Sequence, residues 1–213
     1  MKSVIFDIHH HGLTAPDDAV TSFSPGESVP EGSGLLSVGL HPWLTAGIGS
    51  AVMGFLKELI VTTPRIVAVG ETGIDRLRGA SVEVQCKLFR VHVELSESLG
   101  LPLVIHCVRA TDLILHQHKL INPRQHWAIH GFRGKPGEVK LLTSRGIFLS
   151  YGEKFNVESL SETPRDFILA ETDEADMTAA EIISRLEPFA NPCLIAENSE
   201  RFLSSPLNKT RLS

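Results

Sequence analysis

The sequence predicts an α/β protein of the TIM type, a (β/α)8 barrel in a shortened form. Short apolar segments alternate with helical stretches along the chain, and eight of these segments have strand character. Such an alternation is typical of parallel strands joined by crossover helices. At 213 residues the chain lies near the lower end for this barrel, and we expect a single domain over residues 1–213.

The predicted strands are short and consist mostly of β-branched or other apolar residues. They cover residues 3–8, 19–24, 35–40, 65–70, 102–105, 126–129, 146–150 and 166–170. No helical pattern separates the second strand from the third, and the segment between them contains Gly26, Pro30 and Gly34. Glycine and proline favour turns, so we expect a loop to replace that crossover helix.

Helical patterns are clearest in four segments, at residues 51–61, 81–99, 135–143 and 178–186. In the longest of them, apolar residues recur every three or four positions, which predicts one buried stripe. Gly100 then provides a stop signal, and Pro102 opens the next strand. The predicted stripe consists of Val84, Leu88, Val91, Leu95 and Leu99.

Composition and charge exclude some classes of protein. The net charge is −5 with histidines neutral, and 42% of the residues are hydrophobic. These values indicate neither disorder nor the basic surface of a typical nucleic-acid-binding domain. A phosphate-bearing substrate is compatible with them, because bound divalent metals would be the largest local charges.

Cysteine spacing and hydropathy indicate where the protein works. Cys86, Cys107 and Cys193 are widely spaced and form no C-x-x-C pattern, which favours reduced thiols and a cytoplasmic location. No apolar run reaches the roughly 18 residues of a membrane-spanning helix, so we expect no membrane association. The segment before His9 has too short an apolar run for a signal peptide and predicts a strand.

The pair His9-x-His11 is the first candidate for metal binding. Side chains alternate along a strand, so His9 and His11 point to one side and His10 to the other. Two imidazoles on one face suit a divalent metal such as Zn²⁺ or Mn²⁺. We expect His10 to face the helical layer and to have a structural role.

Polar residues suited to metals recur near the end of strand after strand. Active sites of such barrels are assembled at the carboxyl ends of the strands, so residues distant in sequence should converge there. In chain order these residues are His9 and His11 after the first strand, His41 after the third, Glu71 after the fourth, His106 after the fifth, His130 after the sixth and Asp173 after the eighth.

Several imidazoles with two carboxylates supply more donors than one tetrahedral ion needs. They suit two divalent ions that share a bridging carboxylate. Two ions about 3.5–4 Å apart can activate a water and stabilise an in-line displacement at phosphorus. Asp173, at the end of the last strand, could also take the proton from that water.

Cationic residues follow the same strands. They could form a local phosphate-binding rim on an acidic protein, and the alternative is that they are solvated loop charges. They are Arg76 and Arg78, Arg109, Arg133 and Lys135, and Lys154.

Other polar residues receive less direct roles. His92, His116 and His118 lie in helical stretches and are interpreted as surface or layer residues. His126 opens its strand, which places it at the opposite end of the barrel. Alternation points Cys107 outward, away from the neighbouring His106, so a nucleophilic role is not expected.

Two carboxylates close to the candidate ligands have supporting roles in this interpretation. Asp75 either shapes its loop or supports a metal-bound residue. Glu171 lies two residues before Asp173 and could support a metal-bound histidine in the same way.

The segments that carry these residues resemble the TatD family of metal-dependent deoxyribonucleases. G-E-x-G-x-D followed later by E-T-D is a specific combination, and the matching segments occur in the family's order across residues 6–173. They are F-D-I-H-H-H at 6–11, V-G-L-H-P-W at 38–43, V-G-E-T-G-I-D at 69–75, L-P-L-V-I-H at 101–106, I-H-G-F-R-G at 129–134 and E-T-D at 171–173.

The resemblance implies a TIM barrel of the amidohydrolase-like superfamily that hydrolyses phosphodiesters in DNA with two bound divalent ions, Mg²⁺, Mn²⁺ or Zn²⁺. It gives catalytic roles to Glu71 and Asp173 and places His41 near the substrate phosphate. The implied ligands are His9, His11, Glu71 and Asp173 for one ion, and the bridging Glu71 with His106 and His130 for the other.

The chain departs from the family pattern in places. It is shorter, and the early helix is missing. Where the family commonly has an arginine two residues after the fifth-strand histidine, this chain has Val108, and Arg109 comes one residue later. We keep Arg109 and Arg133, together with His41, as predicted substrate contacts. DNA or another phosphodiester is the expected partner, and no obligatory protein partner is expected.

Two other functions fit the same ligands. The enzyme could cleave an ester or amide, since some members of the family resemble D-aminoacyl-tRNA deacylases. It could also be a metal-binding relative without catalysis, an idea motivated by the short chain. The polymerase-associated histidinol-phosphatase-like family, which also opens on an H-x-H strand, is the alternative fold assignment. The G-E-x-G-x-D and E-T-D segments argue against it.

Overall fold

The computed structural model describes residues 4–46 and 51–204. Eight parallel strands close into one barrel, and each strand pairs with its neighbours in the sequence, which confirms the predicted fold class. The strands are β1 (Asp7–His11), β2 (Ala19–Phe23), β3 (Leu35–Val38), β4 (Ile66–Asp75), β5 (Leu103–Val108), β6 (Trp127–Ile129), β7 (Phe148–Tyr151) and β8 (Ile168–Ala170).

Helices surround the barrel from the third strand onwards. The chain forms loops between β1 and β2 and between β2 and β3, so the predicted loss of the second crossover helix is confirmed. Short 3-10 helices occur at Pro42–Leu44 and Arg165–Phe167. The α-helices are α1 (Ala51–Thr62), α2 (Val82–Leu99), α3 (Thr111–Ile121), α4 (Pro136–Thr143), α5 (Val157–Glu162), α6 (Ala179–Leu186) and α7 (Pro192–Leu203).

Each of the four predicted helices is present, and the starts of α2 and α6 follow from side-chain caps. Ser81 accepts a hydrogen bond from the Val84 N–H ahead of α2, and Thr178 forms a capping box with Glu181 ahead of α6. Helices α3, α5 and α7 are additional to the four predicted ones. None of the helices in the described ranges has the length and hydropathy of a membrane span.

Three of the strands that carry candidate ligands extend further than predicted, and this changes where those ligands lie. The predicted first strand, 3–8, begins outside the described residues, and β1 continues to His11, so His9 and His11 are inside it rather than after it. Strands β4 and β5 also run past their predicted ends, which places Glu71 and His106 within strands. Polar side chains can continue these strands because their inward faces meet other polar groups at the barrel mouth.

The buried stripe predicted for α2 is wrong. Val84 is 37% exposed, and Leu95 is the buried member of that stripe. Hydropathy does not locate the buried face of α2, because several residues on that face are polar and are buried with hydrogen-bond partners. Besides Leu95, the buried face consists of Gln85, Phe89, His92, Val93 and Ser96.

The interior of the barrel is apolar below its polar mouth. Val104 lies two residues before His106, Ala128 two before His130 and Leu169 two before Glu171, and all three side chains are buried in one cluster. Because side chains on one face repeat every two residues, the apolar layer lies directly beneath the polar layer. Phe202 of α7 belongs to this cluster and packs against Phe148 at a centroid distance of 5.7 Å.

Candidate metal centre

The two oxygens of the Glu71 carboxylate face two separate groups of imidazoles. Oε2 lies 3.2 Å from His9 Nε2 and 3.4 Å from His11 Nε2. Oε1 lies on the other side, 2.7 Å from His106 Nδ1 and 2.7 Å from His130 Nε2. Glu71 is 5% exposed, so it is the shared, buried element of a single cluster.

The first group combines residues of β1 with a carboxylate that follows β8. His9 and His11 turn to the same side, with their Nε2 atoms 3.1 Å apart, as the alternation of β1 predicts. Asp173 Oδ1 lies 3.9 Å from His9 Nε2 and 3.8 Å from His11 Nε2. His10 points away, and its Nδ1 lies 3.0 Å from Thr172 Oγ1.

The second group contains His41 as well as the two histidines predicted for it. His41 follows β3, and its Nε2 lies 3.0 Å from Glu71 Oε1 and 3.2 Å from His106 Nδ1. His106 Nδ1 and His130 Nε2 are 3.3 Å apart. His41, which the sequence placed at the substrate phosphate, is therefore as close to Glu71 as the predicted ligands are.

These distances fit metal ligands. Atoms about 2.1 Å from one tetrahedral ion lie roughly 3.4 Å from each other, and the first group brackets that value, from 3.1 Å between the two imidazoles to 3.9 Å at Asp173. Three sets of donors lie within 4.8 Å: His9 with His11 and Glu71, His9 with His130 and Asp173, and His41 with Glu71 and His106.

The electrostatics of the cluster also favour a cation. Burial by itself would raise the pKa of Glu71, but His130 and the other facing imidazoles lower it well below its ordinary value, so the carboxylate is ionised. Burial and the neighbouring His130 lower the pKa of His9, which favours a neutral ring with a free lone pair. Burial by itself would lower the pKa of His130, but the Glu71 and Glu171 carboxylates raise it well above its ordinary value. A divalent ion bound at this cluster would therefore take the place of a proton.

Hydrogen bonds between β1 and the segment after β8 position Asp173. Its N–H donates to His9 O at 2.8 Å, and its own carbonyl accepts from the His11 N–H at 3.2 Å. Asp7 is buried and accepts from the Thr172 hydroxyl at 2.6 Å. Burial raises the pKa of Asp7 to about 7. No role was predicted for Asp7 or Thr172, although a carboxylate in a buried strand is a usable signal.

Two carboxylates contact the imidazoles from behind. Glu171 Oε1 lies 3.5 Å from His130 Nδ1, as the sequence interpretation expected for a supporting residue. Asp75 Oδ2 lies 3.4 Å from His106 Nε2 and also accepts a hydrogen bond of 2.6 Å from Trp43 Nε1. No role was predicted for Trp43 from the sequence. Its position two residues after His41 was the available signal.

The predicted cationic rim is only partly assembled. Arg133 and Lys154 line a cavity of about 220 Å³ together with Asp173 and Glu174. Arg109 is exposed at the end of β5, outside the lining of that cavity, and has a positive φ of 51°. Arg76 forms a bidentate pair with Asp112.

The remaining two rim candidates lie elsewhere. Arg78 stacks over the Trp43 ring with its guanidinium carbon 4.4 Å from the ring centroid. Lys135 is exposed at the start of α4. Cys107 is outside the imidazole cluster, with its sulfur 3.9 Å from Thr111 Oγ1.

The protein has a closed parallel barrel, with histidines and carboxylates gathered at the carboxyl ends of the strands. These features define the class of (β/α)8-barrel proteins with a candidate metal centre. The particular family follows from the sequence. The model of TatD-related DNases matches residues 28–199, and the chain belongs to that family.

Curated relatives agree with this membership. A metal-dependent hydrolase TatD of Mycobacterium tuberculosis, described as uncharacterised, is 30% identical over 67% of this chain and 58% of its own length. The 3′-5′ ssDNA/RNA exonuclease TatD of Erwinia tasmaniensis is 28% identical over 64% of this chain and 56% of its own. The chain thus spans little more than half the length of these curated relatives.

The fold is shared with a solved structure over nearly the whole chain. YjjV, a TatD homologue from Escherichia coli K12, superposes with a TM-score of 0.76 at 20% identity. The match covers 95% of this chain and 97% of that one.

Proposed function

We propose that this protein is a divalent-metal-dependent phosphodiesterase that acts on DNA, working as one domain with a two-metal centre. The proposal rests on the position of the Glu71 carboxylate, whose two oxygens face two different groups of imidazoles. A carboxylate with an oxygen in each group suits a bridge between two ions. Membership in the family of TatD-related DNases supports the choice of the phosphodiester bond.

In this proposal each group of side chains holds one ion. Bound divalent ions, Mg²⁺, Mn²⁺ or Zn²⁺, would activate a water and neutralise charge at phosphorus. Asp173 is 33% exposed at its side chain, so it can both bind an ion and accept a proton from a water at the mouth. The ligands would be His9, His11, Glu71 and Asp173 for the first ion, and Glu71, His106 and His130 for the second.

We assign substrate contacts to His41, Arg133 and Arg109. His41 reaches the cluster itself, and Arg133 shares a cavity with Asp173, where a phosphate would meet a cation. Arg109 is exposed at the end of β5 and lies outside that cavity lining. The spacing of the three cysteines supports a cytoplasmic location as part of the same proposal.

The proposal is tested on metal content and on turnover in parallel. Purified protein should retain or take up divalent ions, and Glu71→Gln should lose them, because its amide cannot supply two anionic oxygens. Asp173→Asn should keep the fold and lose about 100-fold or more in cleavage of single-stranded DNA with Mn²⁺ or Mg²⁺.

A matched control is available three residues after Asp173. Asp176 is an exposed carboxylate in the same loop, and Asp176→Asn should retain both metal and activity. Intact DNA and intact model phosphodiesters at every metal tested would contradict the proposal. Cleavage of D-aminoacyl-tRNA instead would assign the same centre to an ester, and metal binding without any turnover would indicate a non-catalytic relative.

A further inference from the structure

Trp43 is an exposed aromatic residue that touches the histidine cluster. It is 46% exposed, although its ring centroid lies 4.7 Å from that of His41 and 5.8 Å from that of His106, both in edge-to-face geometry. The metal centre proposed above does not use this side chain. Nearly half of the Trp43 side chain therefore lies exposed beside the proposed metal ligands.

The indole is held in place by a buried carboxylate. Trp43 Nε1–H donates to Asp75 Oδ2 at 2.6 Å, and Asp75 is 2% exposed. Asp75 is itself fixed, because its other oxygen accepts a hydrogen bond of 2.7 Å from the Leu77 N–H. A ring that is ordered before a ligand arrives loses little conformational entropy on binding.

The exposed surroundings of the ring combine a cation with apolar groups. The Arg78 guanidinium lies over one face of the indole at 4.4 Å. Leu44, the next residue in the same 3-10 helix, is 45% exposed, and Leu77, two residues after Asp75, is 59% exposed. Stacking surfaces with a nearby arginine are how proteins bind single-stranded nucleic acid, since every base has an aromatic face and every nucleotide a phosphate.

We infer that Trp43 is a stacking surface for an unpaired nucleobase of the substrate, adjacent to the phosphate that reacts. The inference rests on the proposed phosphodiesterase function and deepens it by naming a side chain that would position the substrate. In a duplex the bases are stacked within the helix and do not offer a free face. The ring thus selects strands with a free or frayed base.

Tryptophan fluorescence offers a direct test, because the chain has two tryptophans in contrasting places. Trp127 is 1% exposed at the start of β6, packed against Phe89, and serves as an internal reference. EDTA-treated full-length protein is titrated with short single-stranded DNA and with the same DNA made abasic at each position in turn. Affinity is measured in parallel by anisotropy of the labelled DNA.

We expect quenching with intact DNA and about a ten-fold lower affinity when the base at one position is removed. In Trp43→Leu the quenching should vanish and the ratio of the two affinities should fall to about one. If the substitution only disturbed local structure, the affinities for intact and for abasic DNA would both fall, and their ratio would keep its wild-type value. In Trp43→Phe the ratio of the affinities for intact and abasic DNA should stay close to the wild-type ratio. In Phe55→Leu, which removes a half-exposed aromatic side chain of α1, the ratio should equal the wild-type ratio.

An unchanged ratio in Trp43→Leu, or equal affinity for intact and abasic DNA in the wild-type protein, would overturn the inference. The titration needs no turnover. The two proposals can therefore fail separately. The affinity ratio tests base stacking, whereas the absence of metal-supported DNA cleavage by the wild-type protein would contradict the phosphodiesterase proposal.

Discussion

The imidazole of His130 has a carboxylate in front of its ring and a second carboxylate behind it. Its Nε2 faces Glu71 Oε1 at 2.7 Å, while Glu171 Oε1 lies 3.5 Å from its Nδ1. The same Glu171 oxygen accepts a hydrogen bond of 2.6 Å from the Gly131 N–H, which fixes the carboxylate in turn. A carboxylate on the far nitrogen orients an imidazole and strengthens it as a ligand.

At this scale we predict that Glu171→Gln lowers the affinity for a divalent ion about ten-fold or more, because the imidazole loses its anionic partner. The amide oxygen can still accept from the Gly131 N–H, so the thermal midpoint should change far less than the metal affinity. Competition with a chromogenic chelator gives the affinity. Glu158→Gln, an exposed carboxylate on α5, is the control, and equal metal affinities in the two variants would refute the assignment.

Helix α2 connects the outer layer of the barrel to the loops that carry the site. Gln85 accepts from the Asp75 N–H at 2.7 Å and donates to the Asp75, Arg78 and Ala80 carbonyls, which fixes the loop after β4. About two turns further along α2, His92 Nε2 accepts from the Leu40 N–H at 3.0 Å, directly before His41. Buried polar residues of one helix thus position two of the site's loops.

The His92 contact gives the protein a pH-dependent stability. Burial lowers the pKa of His92 to about 4 from 6.5, so the folded protein keeps the ring neutral where the unfolded chain protonates it. The unfolded state therefore binds the extra proton, and stability present above pH 6.5 is lost as the pH falls from 6.5 towards 4. From pH 7 to pH 5 this group should remove about 2 kcal/mol.

Urea unfolding at both pH values measures this contribution. In His92→Gln the drop between pH 7 and pH 5 should shrink by about 2 kcal/mol relative to wild type, because glutamine does not titrate. His116→Gln, at an exposed position on α3, should leave the drop unchanged. If His92→Gln retains the whole drop, other groups are responsible for it.

Closure of the barrel depends on contacts between the two ends of the described chain. Strands β1 and β8 share one register pair, Asp7 with Ala170, and the ladder is continued by the backbone bonds of Asp173 to β1. Helix α7 supports β8 from outside. Its buried Asn198 donates to the carbonyls of Arg165 and Ile168, each at 2.8 Å.

For the whole molecule we therefore predict that Asn198→Ala destabilises the fold by about 2–3 kcal/mol, since buried carbonyls lose their donors. The free energy of unfolding from urea titration checks this. Glu197→Ala, the exposed neighbour on the same helix, should change it by about 0.5 kcal/mol or less. A similar small change in both variants would show that solvent replaces the lost donors.

Local features of the fold were predicted correctly from the sequence, whereas features that depend on distant residues were not. The alternation of β1 correctly separated His10 from His9 and His11, because side-chain direction in a strand is a local property. The extents of β4 and β5 and the buried face of α2 were wrong. Gln85 and His92 are buried because their partners lie on distant loops, and hydropathy contains no information on such partners.

The sequence by itself determined the parallel barrel, the missing crossover helix and the residues that occupy the strand ends, since periodicity and turn residues act locally. Only the tertiary structure decided how Glu71 is shared between two groups of imidazoles and that His41 joins one of them. It also decided that Trp43 is fixed beside His106 through Asp75. These arrangements depend on distances between strands far apart in the chain, and barrel closure alone sets those distances.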